Sequence, residues 1–259
     1  MNSPADWRRP GADGGISPAH PRNGRLLCGV VPRLALLVAT LLLASSCGGS
    51  GPTGEAPDLA TLLDDAAAAM GGLESARFSM ERRGAPVELA GLFFESAEGV
   101  YLAPDAAKAV LRVKVADVPL DLGTIAIAER VWLTNPLTGG WEEIPAGTGF
   151  NIAVIFDPGV GWVPLLTDDL AGATYRGFGS DGSGRRHVVH GTIAAGRVSF
   201  LTAGLVEAQS VEADIWIDPG TGHITRVEFA TVWGGDRTDW VIRMWDFDAP
   251  AAVDPPAGY

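Results

Sequence analysis

The chain has 259 residues, of which 47% are apolar and 19% charged, the balance of a folded globular protein rather than a disordered one. Its formal net charge is −12. Phosphate backbones repel a polyanion, which argues against a nucleic-acid partner. Anionic lipid headgroups repel it too, so charge alone cannot hold the protein on a membrane.

The first segment of the chain is typical of an export signal. Arginines precede an apolar run that begins at Leu34 and ends at Leu43. The run is too short to cross the hydrocarbon core of a bilayer, which takes about 20 residues. Ala44-Ser45-Ser46 and then Cys47 follow it. Small residues directly before a cysteine resemble the lipobox of bacterial lipoproteins, and the pattern predicts a signal peptide over residues 1–46.

Cys47 has two interpretations. It is either the site of diacylglyceryl attachment or an incidental residue after a plain signal peptide cut behind Ser46. The stretch Gly48–Pro52 favours attachment, because a Gly/Ser/Pro segment suits a flexible tether. A diacylglyceryl group anchors firmly, since it supplies at least two acyl chains. We therefore expect an exported protein on the outer face of the cell membrane, with residues 47–57 as its tether.

The body of the chain begins with a predicted helix. Asp58 is a suitable N-cap, an apolar stripe runs over residues 59–70, and Gly71-Gly72 ends the helix. After this point the apolar residues alternate with polar ones, which is the period of half-buried strands.

Nine to eleven strands are expected over residues 76–82, 87–94, 100–102, 109–115, 123–134, 141–144, 173–178, 186–193, 213–217, 223–232 and 239–247. A turn is expected near residues 97–99. Residues 151–170 set bulky apolar side chains among Gly and Pro, which indicates a short helix and loop packed over the sheet. Residues 249–259 are expected to form a loose tail.

Sequential strands usually pair antiparallel, so the pattern predicts an α+β domain over residues 58–248 with one large curved antiparallel sheet. Helices can cover one face of that sheet, and the space beneath them is either packed solid or encloses a cavity. Periodicity leaves both open. The strand residues expected to face inward are Phe78, Met80, Leu89, Phe93, Leu111, Val113, Val189, Ile215, Val227 and Phe229.

Several stretches together resemble one family. They are the lipobox, the helix Leu62–Met70, the strand start Leu73–Phe78, and the stretches Phe156–Val160, His187–Ile193 and Val211–Ile217. The chain is similar in these to the mycobacterial LppX/LprAFG lipoproteins, over roughly residues 58–248. The resemblance implies a half-open antiparallel β-barrel capped by helices on its concave face, with a hydrophobic cavity for acyl chains. It also implies carriage of phospholipid, glycolipid or triacylglycerol across the cell envelope.

The segment 151–170 is a candidate lid over such a cavity. Phe156, Trp162 and Leu166 join the inward strand residues as predicted lipid contacts, and Gly159 and Gly161 are candidate hinges. A rigid packed helix explains the segment equally well.

Residues that carry chemistry give no coherent site, so no enzyme, metal or cofactor is predicted. His187 and His190 are three apart on a strand and point to opposite faces, which does not favour a shared metal. Residues 177–182 match G-x-G-x-x-G by letter, but no helix follows to bind a phosphate. No G-x-S-x-G nucleophile elbow occurs.

A second function remains open beside lipid carriage. The protein, which we expect to be a monomer, could instead be an interaction lipoprotein that docks an envelope transporter without carrying lipid. Trp233, Trp240 and Trp245 lie close together near the C-terminal hairpin and suit either function, or an ordinary core.

Overall fold

The computed structural model describes residues 56–89, 91–145, 151–207 and 209–259, with the side chain of Leu89 left out. The predicted signal peptide, Cys47 and most of the predicted tether lie outside these residues. The strands are β1 (Ser75–Gly84), β2 (Val87–Leu89), β3 (Leu92–Leu102), β4 (Ala106–Val115), β5 (Val118–Ile127), β6 (Arg130–Thr134), β7 (Trp141–Ile144), β8 (Leu170–Ser180), β9 (Arg185–Ile193), β10 (Val211–Ile217), β11 (Ile224–Trp233) and β12 (Asp236–Trp245).

The predicted first helix, α1, spans Leu59–Gly71. The Asp58 carboxylate caps it by accepting a hydrogen bond from the Thr61 backbone N–H at 2.9 Å. This bond to the charged form, together with a second one from the Thr61 hydroxyl, lowers the pKa of Asp58. Met70, on the buried face of the last turn, lies beside the start of β11.

The described strands form one antiparallel sheet in the order β7-β6-β5-β4-β3-β1-β12-β11-β10-β9-β8, with β2 beside the start of β3. Most neighbours are consecutive hairpins, while β12 returns to pair with β1 and joins the two halves. The end strands β7 and β8 do not pair with each other among the described residues, so the sheet is large and not closed. The predicted fold class is confirmed.

The turn expected near residues 97–99 is wrong. Strand β3 continues through this stretch, and the chain reverses between Leu89 and Leu92, which pair with each other. Gly99 serves close packing: a Cβ on it would lie 2.4 Å from the Lys108 carbonyl oxygen and 2.7 Å from the Phe78 ring. A strand glycine of this kind cannot be told from a turn glycine by sequence alone.

Two further differences concern elements. The strand expected over residues 123–134 is the hairpin β5–β6, which turns at Ala128 with a φ of 53°. A helix absent from the sequence prediction, α3, spans Ala195–Leu201 after β9.

The C-terminal residues, expected to be loose, contact the sheet. The Ala249 carbonyl accepts a hydrogen bond from the Ser75 hydroxyl at 2.6 Å, and the Tyr259 hydroxyl donates to the Trp141 carbonyl at 2.9 Å. The Tyr259 ring also lies edge-on to Trp132, with 6.0 Å between ring centroids. The tail thus reaches from β1 to β7 and shields Trp132 from solvent.

One contiguous apolar core lies between the sheet and its helices, and it includes residues from α1, α3 and the segment 151–170. None of the described helices is long and apolar enough to cross a membrane.

Candidate functional site

The candidate site is the concave face of the sheet, which carries the core residues and is covered by the helices. Side chains alternate between faces along a strand, and directly paired residues of antiparallel strands share a face. Leu111 pairs with Ala97 and Leu122, and Ile215 pairs with Val189 and Val227; these six residues are all buried. At the level of these residues the concave face is thus apolar from β5 to β9.

Eleven of the predicted lipid contacts belong to the buried core between sheet and helices. They are Phe78, Met80, Leu111, Val113, Phe156, Trp162, Leu166, Val189, Ile215, Val227 and Phe229. Burial brings these side chains together on one surface, and their contact with lipid stays a prediction. Leu89 lies in β2 and pairs with Leu92, while its side chain is outside the described residues.

The inward orientation predicted for Phe93 is wrong. Phe93 pairs with Lys114 and is half-buried on the convex face, whereas Phe94 pairs with Val113 and is 3% exposed. The reason is the tight turn between Leu89 and Leu92, since those paired residues share a face and the inward positions switch there from odd to even numbers.

Sequence reasoning missed Phe94 as a member of an aromatic stack. The Trp240 ring is stacked between Phe94 and Phe229, with ring centroids 6.0 Å away on each side. The Trp240 indole N–H donates to the Thr231 hydroxyl at 3.0 Å, so its polar atom is satisfied. The stack fills the concave face at the end far from α1.

A charged residue stands beside this stack. Arg82 pairs with Trp240 across β1 and β12, and its guanidinium donates to the carbonyls of Phe94, Gly84 and Ala85 and contacts Glu95. The Arg82 side chain is only 9% exposed, and its burial is tolerated because these acceptors replace water. Arg82 therefore fastens the corner between β1 and β2 to β3.

Short, irregular segments cover the centre of the concave face. A 3₁₀ helix spans Ile152–Phe156, the single-turn helix α2 spans Trp162–Pro164, and a π-helical turn spans Leu165–Asp169. Phe156 anchors the 3₁₀ helix by stacking on Tyr101 at 4.4 Å between centroids and tilting against Phe78 at 5.6 Å.

An ion pair joins this cover to α3. The Asp169 carboxylate accepts hydrogen bonds from two nitrogens of the Arg197 guanidinium, at 2.8 and 2.5 Å. The Arg197 side chain is only 12% exposed, so solvent screens the pair less than an ordinary surface pair. Moving the covering residues 152–169 away from α3 would require breaking this ion pair.

The candidate hinge Gly161 is held tightly. Its N–H donates to the Asp157 carbonyl at 2.7 Å, and a Cβ would lie 2.1 Å from the Ile155 carbonyl oxygen. Close backbone approach therefore requires glycine here. Gly159 stands in an open turn, where its N–H donates to the Asp157 carboxylate at 2.7 Å.

The cover also contains a buried donor without a partner. Trp162 is 1% exposed, and its indole N–H makes no hydrogen bond within the described part of the chain. A buried donor of this kind favours an acceptor oxygen as its neighbour, because desolvation without a hydrogen bond is costly.

The titratable groups at the concave face are few. Burial raises the pKa of Tyr101, whose hydroxyl donates to the Pro104 carbonyl at 3.0 Å. Burial also lowers the pKa values of His187, beside Tyr175, and of His223, which stacks on Phe247 at 4.3 Å. Within the described ranges no three His, Cys, Asp or Glu side chains converge as metal ligands would.

One open groove adjoins α1, and another lies at nearby strand ends. One, of about 430 Å³, runs between the start of α1 and the turn Asp218–Gly222 and includes His187. The other, of about 480 Å³, lies between the end of β12 and the β8–β9 turn and includes Arg226 and Arg243. Both are partly polar, unlike the concave face.

The family model described as LppX_LprAFG lipoprotein matches residues 58–253. The solved structure of LprF from Mycobacterium bovis is similar with a TM-score of 0.60 at 18% identity, covering 78% of this chain and 99% of that one. LppX from Mycobacterium tuberculosis gives a TM-score of 0.55 at 17% identity, covering 76% and 98%. A search of curated protein sequences finds no match. At these identities the structural likeness shows the fold.

Proposed function

Since the chain belongs to the LppX/LprAFG lipoprotein family, we propose that it is an exported lipoprotein, anchored through Cys47, that binds lipid acyl chains and carries them across the cell envelope. The bound acyl chains lie between the concave face and the segment 151–170. The cargo is a membrane lipid such as a phospholipid, a glycolipid or triacylglycerol. No catalytic step is needed.

The observation that carries this proposal is an apolar sheet face that is covered only by two helices and by short, irregular helical turns. A sheet of twelve strands offers more apolar surface than α1 and α3 can cover. The rest of the cover consists of single turns of 3₁₀, α and π helix, which lose few hydrogen bonds when they move. Outward movement of these segments would open a dry, apolar space suited to acyl chains.

Trp162 supplies a polar contact in this proposal. Its indole N–H is buried without a partner in the described structure. An ester carbonyl at the head of an acyl chain is a neutral acceptor that would satisfy this donor without burying a charge. Trp162 would then set how deeply the chain enters.

One observation favours the second candidate, an interaction lipoprotein without cargo. The stack of Phe94, Trp240 and Phe229 already fills one end of the concave face. In that case the sheet has an ordinary solid core, and the protein acts by docking an envelope partner such as a transporter.

Native mass spectrometry with organic extraction separates the two. The sample is the full chain with Cys47→Ser, produced in its own kind of host, because this variant is exported but cannot be acylated. A co-purifying lipid of defined mass is expected. A protein that is free of lipid and takes up no long-chain lipid would contradict carriage and favour docking.

Adjacent residues of β4 provide the matched variants. Leu111 is 7% exposed on the concave face and Val110 is 47% exposed on the convex face. Leu111→Trp is expected to reduce the extracted lipid severalfold, while Val110→Trp leaves it unchanged. Circular dichroism confirms that both variants fold. Equal lipid in two folded variants would show that cargo does not use the concave face.

A further inference from the structure

Exposed apolar side chains gather at one end of the sheet. Val115 and Val118 are 38% and 58% exposed, and Val232 and Trp233 are 49% and 80% exposed. A tryptophan exposed to this degree is costly in water and commonly marks a contact surface.

Strand register places these four residues at the same end. Strand β1 begins at Ser75, shortly after the end of α1. It ends at Gly84, which pairs with Thr238 close to the β11–β12 turn. Val115 and Val118 are the last pair of the β4–β5 hairpin at this end, and Trp233 belongs to the last pair of β11–β12. We call Val115, Val118, Val232 and Trp233 the distal rim.

Three members of the distal rim continue the concave face. Val115 follows Val113 by two residues and pairs with Val118, so both share the face of the core residue Val113. Trp233 follows Phe229 by four residues and shares its face in the same way. The apolar lining therefore reaches solvent at this end.

The charges named around the rim leave a small net negative charge, because two ion pairs cancel and two aspartates remain. Asp117 stands in the β4–β5 turn and Asp236 begins β12 opposite Trp233, while Lys114 pairs with Glu95 at 3.0 Å and Arg237 with Asp239 at 2.7 Å. The chain after Ser46 carries a formal charge of −15. These charges suit a neutral surface and disfavour an anionic one.

The tether leaves from the opposite end. Pro57 and Asp58 line the groove beside the β10–β11 turn, whereas the distal rim lies at the other end of β11. Ten residues run from Cys47 to Ala56, and a Gly/Ser-rich linker of this length has a root-mean-square end-to-end distance of about 16–19 Å. The ten residues of β11 span about 30 Å. The distal rim is thus the end of the sheet farther from Pro57 and Asp58, where the described chain begins.

We propose that the distal rim docks on the neutral lipid–water interface of a second membrane, opposite the one that holds Cys47. Trp233 and the β4–β5 turn enter this interface, where an indole suits the boundary between apolar chains and water. The concave lining then meets the second membrane directly. The direction of docking rests on the proposed anchor at Cys47.

Two vesicle populations test this. The full lipidated chain is placed in donor phosphatidylcholine vesicles, and acceptor phosphatidylcholine vesicles carry brominated acyl chains, which quench tryptophan. We expect the brominated acceptors to quench fluorescence, and this quenching to be lost in Trp233→Phe. Brominated donor vesicles are expected to quench Trp233 severalfold less, and anionic lipid in the acceptors to weaken the effect.

A charged substitution and its control complete the test. Val232→Asp, at the rim member that does not face the concave side, is expected to abolish quenching by the acceptors, whereas Val110→Asp, at a similarly exposed valine away from the rim, retains it. In the Cys47→Ser background both variants are expected to keep as much extractable lipid as the parent. Loss of quenching therefore tests docking of the distal rim, and loss of extracted lipid tests lipid carriage.

Three results would overturn the proposal: no quenching by the acceptors, equal quenching in Trp233→Phe, or stronger quenching of Trp233 by the donors. A fourth would be a fluorescence shift that depends on protein concentration without vesicles, accompanied by dimers in light scattering. That result would assign the rim to a second copy of the chain.

Discussion

The two faces of the sheet are built from the same strands but differ in composition. The concave face is apolar from β5 to β9 apart from Arg82 and is partly covered by helices and short irregular segments, whereas the convex face carries cross-strand charges. On the convex face Arg226 stands directly opposite Arg243, an unfavourable pairing that contacts to Glu228 and Glu81 offset. The apolar surface that the proposed lipid binding requires therefore lies on the concave side, whereas the convex side is polar and faces solvent.

Adjacent residues of β12 test this comparison with the largest expected effect. Ile242 is 2% exposed on the concave face and pairs with Met80 and Val227. Ile242→Ala is expected to lower the free energy of unfolding by about 2–5 kcal/mol, through lost burial and a residual cavity. Val241→Ala on the half-buried convex face is expected to cost less, about 1 kcal/mol. Urea denaturation measures both, and equal losses would contradict the asymmetry.

A smaller effect is expected for the pH dependence of stability. Burial lowers the pKa of His223 below its usual 6.5, so the unfolded chain takes up a proton more readily than the folded one. His223 thus contributes stability above about pH 6.5 that is lost as the pH falls further. We expect Tm to fall between pH 7 and pH 5, and to fall less in His223→Phe. An identical decrease in the variant would assign the effect elsewhere, with His187 as the next candidate.

The smallest effect is expected for a convex ion pair. Arg112 and Asp121 are joined at 2.9 Å, and both side chains are more than half exposed. The hydrogen bond from Arg112 lowers the pKa of Asp121, so the contribution exists above pH 4 and is lost in acid. Solvent screening limits it, and Arg112→Ala is expected to cost at most about 1 kcal/mol in urea denaturation at pH 7. A larger loss would mean that the convex face also stabilises the fold.

Much of the concave face was predictable from alternation alone. Residues such as Phe78, Leu111 and Ile215 sit in strands whose polar partners fix the inward phase, and all three are buried. The inward prediction for Phe93 failed because a tight turn between Leu89 and Leu92 and a register shift between Phe94 and Ser96 confine the even inward phase to the first residues of β3. A local error of one residue exchanges the two faces, so phase is the weakest part of such a prediction.

The capped first helix, the antiparallel sheet and the family could be predicted from the sequence, because they depend on local residue order and on period, while the export signal stays a prediction. Only the tertiary structure decided how far β3 continues, that Trp240 stacks between Phe94 and Phe229, and that Tyr259 returns to Trp141. Those contacts join residues far apart in the chain, and their partners are selected by packing in three dimensions, which no local pattern records.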